Sequence, residues 1–370
     1  MKKSIRFYKV TPLGYIWLIF CGFYLTKVTS LSPVYLSFLL AIAFIYLHFV
    51  AKNTIKVDRS LFNLSCVCLL FFFIIFNSKF SLLVNLFISL LSPFLVAFFY
   101  KNKTAKSNNL LFIFFSYALL FNTDGLWRII NPDLTNLEKL ESLNIGFQIY
   151  KVNSIMYPDS NYVGLQAVFF ISIYVYLFKG VKFNKSRKII YFIVFLLLLS
   201  SIILSFSRSA IIGVLVFFFF YLLKNTNKFL FLFTSIIIFI ITIAFFSNHY
   251  SNDISFSSKF HIFFITYDYL YHADIYHILF GIGLGNAVNV IGIGTHNLFI
   301  TFLIESGLTG LLIFLFILIY FIKKLKYDFF ITAFPFILSS MSLGTTALPY
   351  FFTFICLCIL KKYKNFSIIP

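Results

Sequence analysis

Acidic residues are scarce: the 370-residue chain holds 11 Asp and Glu against 30 Lys and Arg, and charged residues of both signs make up only 11% of it. Soluble domains carry about 25% charged residues, so this composition excludes an ordinary soluble domain. Cysteine is also sparse. Cys21, Cys66, Cys68, Cys356 and Cys358 all lie within apolar runs, where they act as small hydrophobes, so neither a disulfide framework nor a metal cluster is implied. "TKVTS", after the first apolar run, lacks a convincing small-residue cleavage site, so that run is expected to stay as an uncleaved span. No internal repeat or domain linker is evident, and residues 1–370 read as a single integral membrane domain.

What is present is hydrophobic residues, 61% of the chain, and aromatics, 22%. Apolar runs of about 14 to 22 residues recur throughout. In lipid such runs must be helices, because an open backbone cannot satisfy its polar groups there, and they are too continuous for barrel strands. The expected fold class is all-α, a polytopic helical bundle with about twelve transmembrane helices at 11–26, 33–50, 61–77, 80–100, 109–121, 161–178, 189–206, 210–223, 229–247, 297–322, 329–343 and 347–360. The spans at 109–121 and 210–223 are short for a hydrocarbon layer of about 30 Å, which invites extension into the neighbouring polar residues.

A formal charge of +19 would point to nucleic acid in a soluble protein. Here 23 of the 30 basic residues fall on one set of alternate connections, and the other set holds seven: Lys27, Lys79, Arg128, Lys139, Lys151, Arg208 and Lys259. The positive-inside rule accounts for that asymmetry, places both termini in the cytoplasm, and removes the motive for nucleic-acid binding. Two connections on the outer side are long, 122–160 and 248–296. In the second, Phe260, Phe263, Phe264, Tyr267, Leu270 and Tyr271 recur at helical spacing, which predicts an amphipathic helix that lies along the membrane or covers a cavity.

Three polar clusters precede inward-running helices at the outer side: "YPDSNYVG" with Asp159 and Asn161, "SFSRSAIIG" with Arg208, and "THNLF" with His296 and Asn297. Helix N-termini present free N–H groups and a positive dipole end, and Arg208 adds a planar fork matched to phosphate. Together they predict a phosphate or pyrophosphate site. Asp159, Ser160, Asn161, Ser207 and Asn297 are equally ordinary N-cap residues, and Arg208 could serve only to reach headgroups. Glu305 lies about 13.5 Å deeper than His296 on a continuous helix and about half a turn round, so the two should not touch. At that depth a charge costs roughly 2.5–3.5 kcal/mol, which predicts an interior-facing structural or gating role. Gly307 and Gly310 should allow a neighbouring helix to pack closely. "GIGLGN", residues 281–286, follows no strand and lacks the third glycine of a dinucleotide loop. No Asp-x-Asp pair and no helically spaced His pair appears, and nothing in the chain calls for a metal or a cofactor.

Over roughly residues 200–322 the order of "SRSAIIG", a large loop, "ILFGIGLGN" and "THNLFITFLIESGLTGLLIFL" resembles the O-antigen ligase and Wzy-type polymerase superfamily. These proteins transfer glycans from undecaprenyl pyrophosphate at the periplasmic face of the bacterial inner membrane. The resemblance implies that Arg208 engages the lipid pyrophosphate and that His296 is essential, with Lys259 standing where the family often has an arginine. Lysine keeps the charge and loses the bidentate fork. It also implies a substrate of undecaprenyl-pyrophosphate-linked oligosaccharide in membrane lipid, with a chain-length regulator and a flippase as partner proteins. The expected reaction is an inverting, metal-independent glycosyl transfer that joins repeat units, with His296 as general base or acceptor-orienting group, Asp159 as its rival, and Lys259, Asp159, Asn161 and Asn297 binding substrate. The alternatives are a ligase that transfers the glycan to lipid A core and a non-enzymatic transporter of lipid-linked sugars.

Overall fold

The computed structural model describes residues 8–29, 31–52, 59–70, 78–135, 137–142, 146–225, 236, 254–292, 294–344 and 348–369. In chain order the elements are β1 (Tyr8–Lys9), α1 (Pro12–Phe20), α2 (Pro33–Lys52), α3 (Arg59–Leu70), α4 (Phe80–Tyr100), β2 (Lys103–Lys106), α5 (Ser107–Ile130) and α6 (Leu137–Ser142). A 3-10 turn at Gly146–Tyr150 precedes α7 (Asn161–Phe178), α8 (Lys185–Leu204), α9 (Arg208–Asn225), α10 (Ile254–His272), α11 (Ile275–Phe280) and α12 (Ala287–Ile291). The chain closes with α13 (Leu298–Leu325), α14 (Tyr327–Thr332), α15 (Phe334–Ser340), α16 (Pro349–Lys362) and β3 (Phe366–Ile369).

Among the described residues 75% are helical. Among the described residues six helices, α2, α4, α5, α7, α8 and α13, are long and apolar enough to cross a membrane. This is an all-α membrane-embedded protein. α7 sits at the centre, with 83% of its span buried, whereas α2 and α8 are 28% and 22% buried and turn rows of Leu, Ile and Phe outward. Helices in lipid gain little from apolar burial against one another, so contact area and internal hydrogen bonds hold them together. Aromatic rings supply the area. Phe170 of α7 packs on Tyr117 of α5 with ring centroids 3.9 Å apart, and Phe169 packs on Phe351 of α16 at 5.4 Å. Polar side chains supply the bonds: the Gln166 amide donates to Gly22 O at 2.8 Å, and the Tyr117 hydroxyl accepts from Gly22 N at 3.0 Å.

Those two bonds explain why α1 stops at Phe20 within the expected span 11–26: the Gly22 backbone is taken by tertiary partners and does not continue the helix. α5, expected to end at 121, runs on to Ile130 because Asp124 and Arg128, one turn apart, pair inside it. The long connection expected at 122–160 therefore starts later. The expected span 329–343 is divided into α14 and α15 near Pro335, which cannot donate a bond to the residue four before it. The expected span 229–247, apart from residue 236, lies outside the described residues.

One end of the bundle carries a small parallel sheet of order β1-β2-β3, with Tyr8 opposite Lys103 and Lys103 opposite Phe366. Near it, Asp328 pairs with Lys224 and, at 3.1 Å, with Lys362. We refer to this as the sheet end. The opposite end, where α5 and α8 finish and α7, α9 and α13 begin, is the loop end.

Gly213 of "SRSAIIG" is a packing glycine: a Cβ there would meet Val168 Cγ1 at 2.9 Å and Pro335 O at 3.2 Å. It lets α9 approach α7 and α15. Gly213→Val should therefore lower stability by about 1–3 kcal/mol, read as an earlier thermal unfolding transition of the purified protein in detergent.

Candidate functional site

The loop end is organised by a buried ion pair. Arg128 and Asp124 are both fully buried, with Arg128 Nε 2.9 Å from Asp124 Oδ2. The remaining guanidinium nitrogens donate to Tyr150 O at 2.7 Å and Leu204 O at 2.8 Å. Asp124 Oδ1 accepts from Ser154 Oγ at 2.6 Å and Ile155 N at 2.9 Å. One salt bridge thus ties the end of α5 to the segment before α7 and to the end of α8. The Tyr150 ring stacks on Phe206 at 5.5 Å, and Ser160 Oγ donates to Ser205 O at 2.8 Å. Phe206 holds φ at 52°, an uncommon conformation for a large residue, in the turn that delivers Arg208 to the start of α9.

Around that scaffold the clusters meet. Asp159 Oδ1 accepts from Asn161 N at 2.8 Å, and Oδ2 accepts from the Asn161 side-chain amide at 3.0 Å. Lys151 Nζ reaches Asn161 Oδ1 at 3.4 Å. Lys151 and Arg208 lie over the same ring, Phe147, at 5.1 and 5.7 Å from its centroid, an arrangement favoured by the negative face of an aromatic ring. Burial pulls the Lys151 pKa below the ordinary lysine value; the Asp159 carboxylate opposes this, and Arg208, Arg128 and Lys259 reinforce it.

His296 is related to the site through Asp159 and Lys259. Its backbone is in the left-handed region, φ 42°. The residue is exposed at its surface while protein crowds the rest of it. That crowding lowers its pKa from the ordinary 6.5, the Asp159 carboxylate pulls it back up, and the Lys259 ammonium pushes it down. Lys259 Nζ donates to Ser342 Oγ at 3.0 Å, and the Tyr162 hydroxyl of α7 donates to Gly344 O at 2.8 Å. A Cβ on Gly344 would lie 3.1 Å from both Asn297 O and Thr295 Oγ1. Residues 342–344 are therefore the hub where α7, α10 and the His296 loop meet.

Asp159, Asn161, Arg208, Lys259 and His296 are brought into one electrostatic neighbourhood. Arg208 and His296 are exposed; Lys151, Asp159, Asn161 and Lys259 are half-buried. Asn297 is placed differently: it is 6% exposed, and its Oδ1 accepts from Phe299 N at 2.9 Å and Ile300 N at 3.2 Å, capping α13. Ser207 also caps its helix, accepting from Ala210 N at 3.4 Å. Lys151, Phe147, the Asp124–Arg128 pair and the 342–344 hub carry no local motif, and sequence reasoning passed over them. For Lys151 the available signal was its place eight residues before Asp159 on the same connection.

Glu305 does not touch His296. It is 6% exposed, and the backbone N–H groups of Gly285 and Ala287 lie near its carboxyl group. The glycine loop is there to meet a break in α13. Gly307 has φ 67° and ψ −175°, so the carbonyls of Ile304 and Glu305 lose their helical partners. Ile282 N and Gly283 N replace them at 3.0 Å each. A Cβ on Gly281 would lie 2.5 Å from Glu305 O, and one on Gly307 2.4 Å from Leu279 O, so both positions demand glycine. Glu305 thus faces the interior beside this loop.

Among the described residues no group of three or more His, Cys, Asp or Glu is placed to hold a metal ion. No family model matches the chain, and no curated protein matches it.

Arg128→Leu leaves a buried carboxylate and two carbonyls without their donor, and should cost about 3–5 kcal/mol. Denaturant unfolding in detergent checks this, and Asp124→Asn combined with Arg128→Leu should recover part of the loss.

Proposed function

We propose that the loop end is the active site of a membrane glycosyltransferase that uses a lipid-pyrophosphate-linked glycan, acting as an O-antigen (surface polysaccharide) polymerase. The observation that carries this reading is the convergence of Lys151, Arg208 and Lys259 with His296 around one carboxylate, Asp159. Three cations near one acid make an anion site. Beside it stands an imidazole whose lowered pKa favours the neutral, proton-accepting form near pH 7. The motif order in "SRSAIIG", "ILFGIGLGN" and "THNLF" supports the same family of reactions.

In this reading twelve spans place both termini in the cytoplasm, and the loop end faces the periplasm across the inner membrane. An acceptor sugar hydroxyl attacks the anomeric carbon of the lipid-linked repeat unit. The new C–O bond forms as the bond to the pyrophosphate oxygen breaks, with inversion, and the pyrophosphate leaves with the bonding electrons. Arg208, Lys151 and Lys259 meet the charge growing on the leaving group, the kind of preorganised stabilisation that usually supplies the largest catalytic contribution. His296 takes the hydroxyl proton. Asp159 orients Asn161 and Lys151 and sets the field at His296.

Arg208→Ala and His296→Ala should leave the protein in the membrane and abolish chain extension, and Lys151→Gln should reduce extension while Lys151→Arg retains it. Surface glycans from a deletion strain read the outcome on a gel. Core bearing a single repeat unit identifies a polymerase. Long lipid-linked chains with no attached glycan identify a ligase, and unchanged glycans refute both.

The His296 pKa also fixes a sign. With the pKa below 6.5, the acidic fall in extension rate should lie below pH 6.5. Asp159 raises that pKa, so Asp159→Asn should move the acidic limb to still lower pH. A dead Asp159→Asn variant would transfer the base role to Asp159.

A further inference from the structure

α10 has three distinct faces. At about 100° per residue, Ile262, Ile265, Thr266 and Tyr269 fall on one side, where the apolar members join a cluster with Ala287 and Ile291 of α12 and Ile300 and Ile304 of α13. Diametrically opposite lie Phe260, Phe263, Phe264, Tyr267 and Tyr271, all exposed, Phe264 by 71% and Tyr271 by 75%. His261, Asp268 and His272 form an exposed polar stripe about a quarter turn from each of the other two. A helix on a water-facing surface turns its polar side directly away from its buried side. In α10 that position is aromatic, and the polar stripe is displaced to the flank.

The depth of the helix fits a second solvent. Ile300 and Ile304 follow the cap residue Asn297 by three and seven positions, about 4.5 and 10.5 Å along the helix axis. The inner face of α10 therefore shares a cluster with the first turns of a helix long and apolar enough to cross the membrane. Interfacial helices seat their apolar faces about 5–10 Å into the headgroup and acyl boundary, the same depth. Farther along α13, Leu308, Leu312, Phe316 and Ile319 are exposed, so apolar surface continues down the bundle.

We propose that α10 lies in the plane of the membrane at the loop end. Its Phe260, Phe263, Phe264, Tyr267 and Tyr271 face is seated against phospholipid at the headgroup and acyl boundary, and its His261, Asp268 and His272 stripe is turned to water. Ile275 and Tyr276 of α11, both exposed, extend the lipid-facing surface. Lys259, near the start of the same helix, bonds Ser342 in the site hub, so seating in lipid also sets the position of a site cation. This placement does not depend on the transferase reading.

Trp17 is buried and Trp127 exposed, and the chain has two tryptophans, so Trp127→Phe removes the indole that would interfere with a probe. In that background, Phe264→Trp and, as a control on the polar stripe, Asp268→Trp are reconstituted into phosphatidylcholine vesicles. Phosphatidylcholine brominated near the top of its acyl chains should quench most of the Phe264→Trp emission, and aqueous iodide little of it, with the reverse for Asp268→Trp. Strong iodide quenching of Phe264→Trp would put that face in water. Quenching by neither agent would mean that protein covers it. Either result overturns the proposal.

Discussion

A single buried guanidinium organises the loop end. Taking an arginine fully out of water is expensive, and the cost is met only when its nitrogens find acceptors and the charge finds a partner. Arg128 has Asp124 for its charge and one carbonyl for each terminal nitrogen, and those carbonyls belong to segments 22 and 76 residues further along the chain. Because satisfying Arg128 requires Tyr150 and Leu204 together, the segment carrying Lys151, Asp159 and Asn161 is held beside the turn that carries Arg208. The placement of Lys151 and Arg208 is thus inherited from a residue that is itself fully buried.

The need to pair buried polar groups also governs α13. The break at Gly307 removes helical hydrogen bonds where water is scarce, and the glycine loop replaces them from outside the helix, backbone against backbone. The buried Glu305 carboxyl lies beside two further N–H groups of that loop, those of Gly285 and Ala287. The outer turns of α13, with His296 before them and the α10 cluster against them, therefore form a unit tied to the glycine loop, and the lower part of α13 packs separately toward the sheet end.

Much of the helical architecture was legible because lipid forces apolar runs into helices, and α4, α7 and α8 lie close to their expected bounds. Arg208, Asp159, Asn161 and His296 announced themselves as polar groups at helix starts. What stayed hidden depends on contacts far apart in sequence. Arg128 and Asp124 looked like the polar margin of a loop, yet their pairing extends α5. Lys151 looked like one more loop lysine until Phe147 and Asn161 placed it beside Arg208. Asn297 carried the opposite ambiguity, since a capping residue and a binding residue have the same appearance before the helix they cap is seen. The sheet was invisible because its strands, Tyr8–Lys9 and Lys103–Lys106 among them, are too short and too basic to show an alternating pattern.

That sheet imposes an order on biosynthesis. β1 and β2 can pair once the first four helices have been made, but β3 must wait for some 260 further residues before it can add beside β2. Until then β2 has an unpaired edge, and α16, which packs against α4, has no place to dock its following strand. Closure of the protein at its basic end is consequently a late event in synthesis, completed by a segment far from the helices it joins.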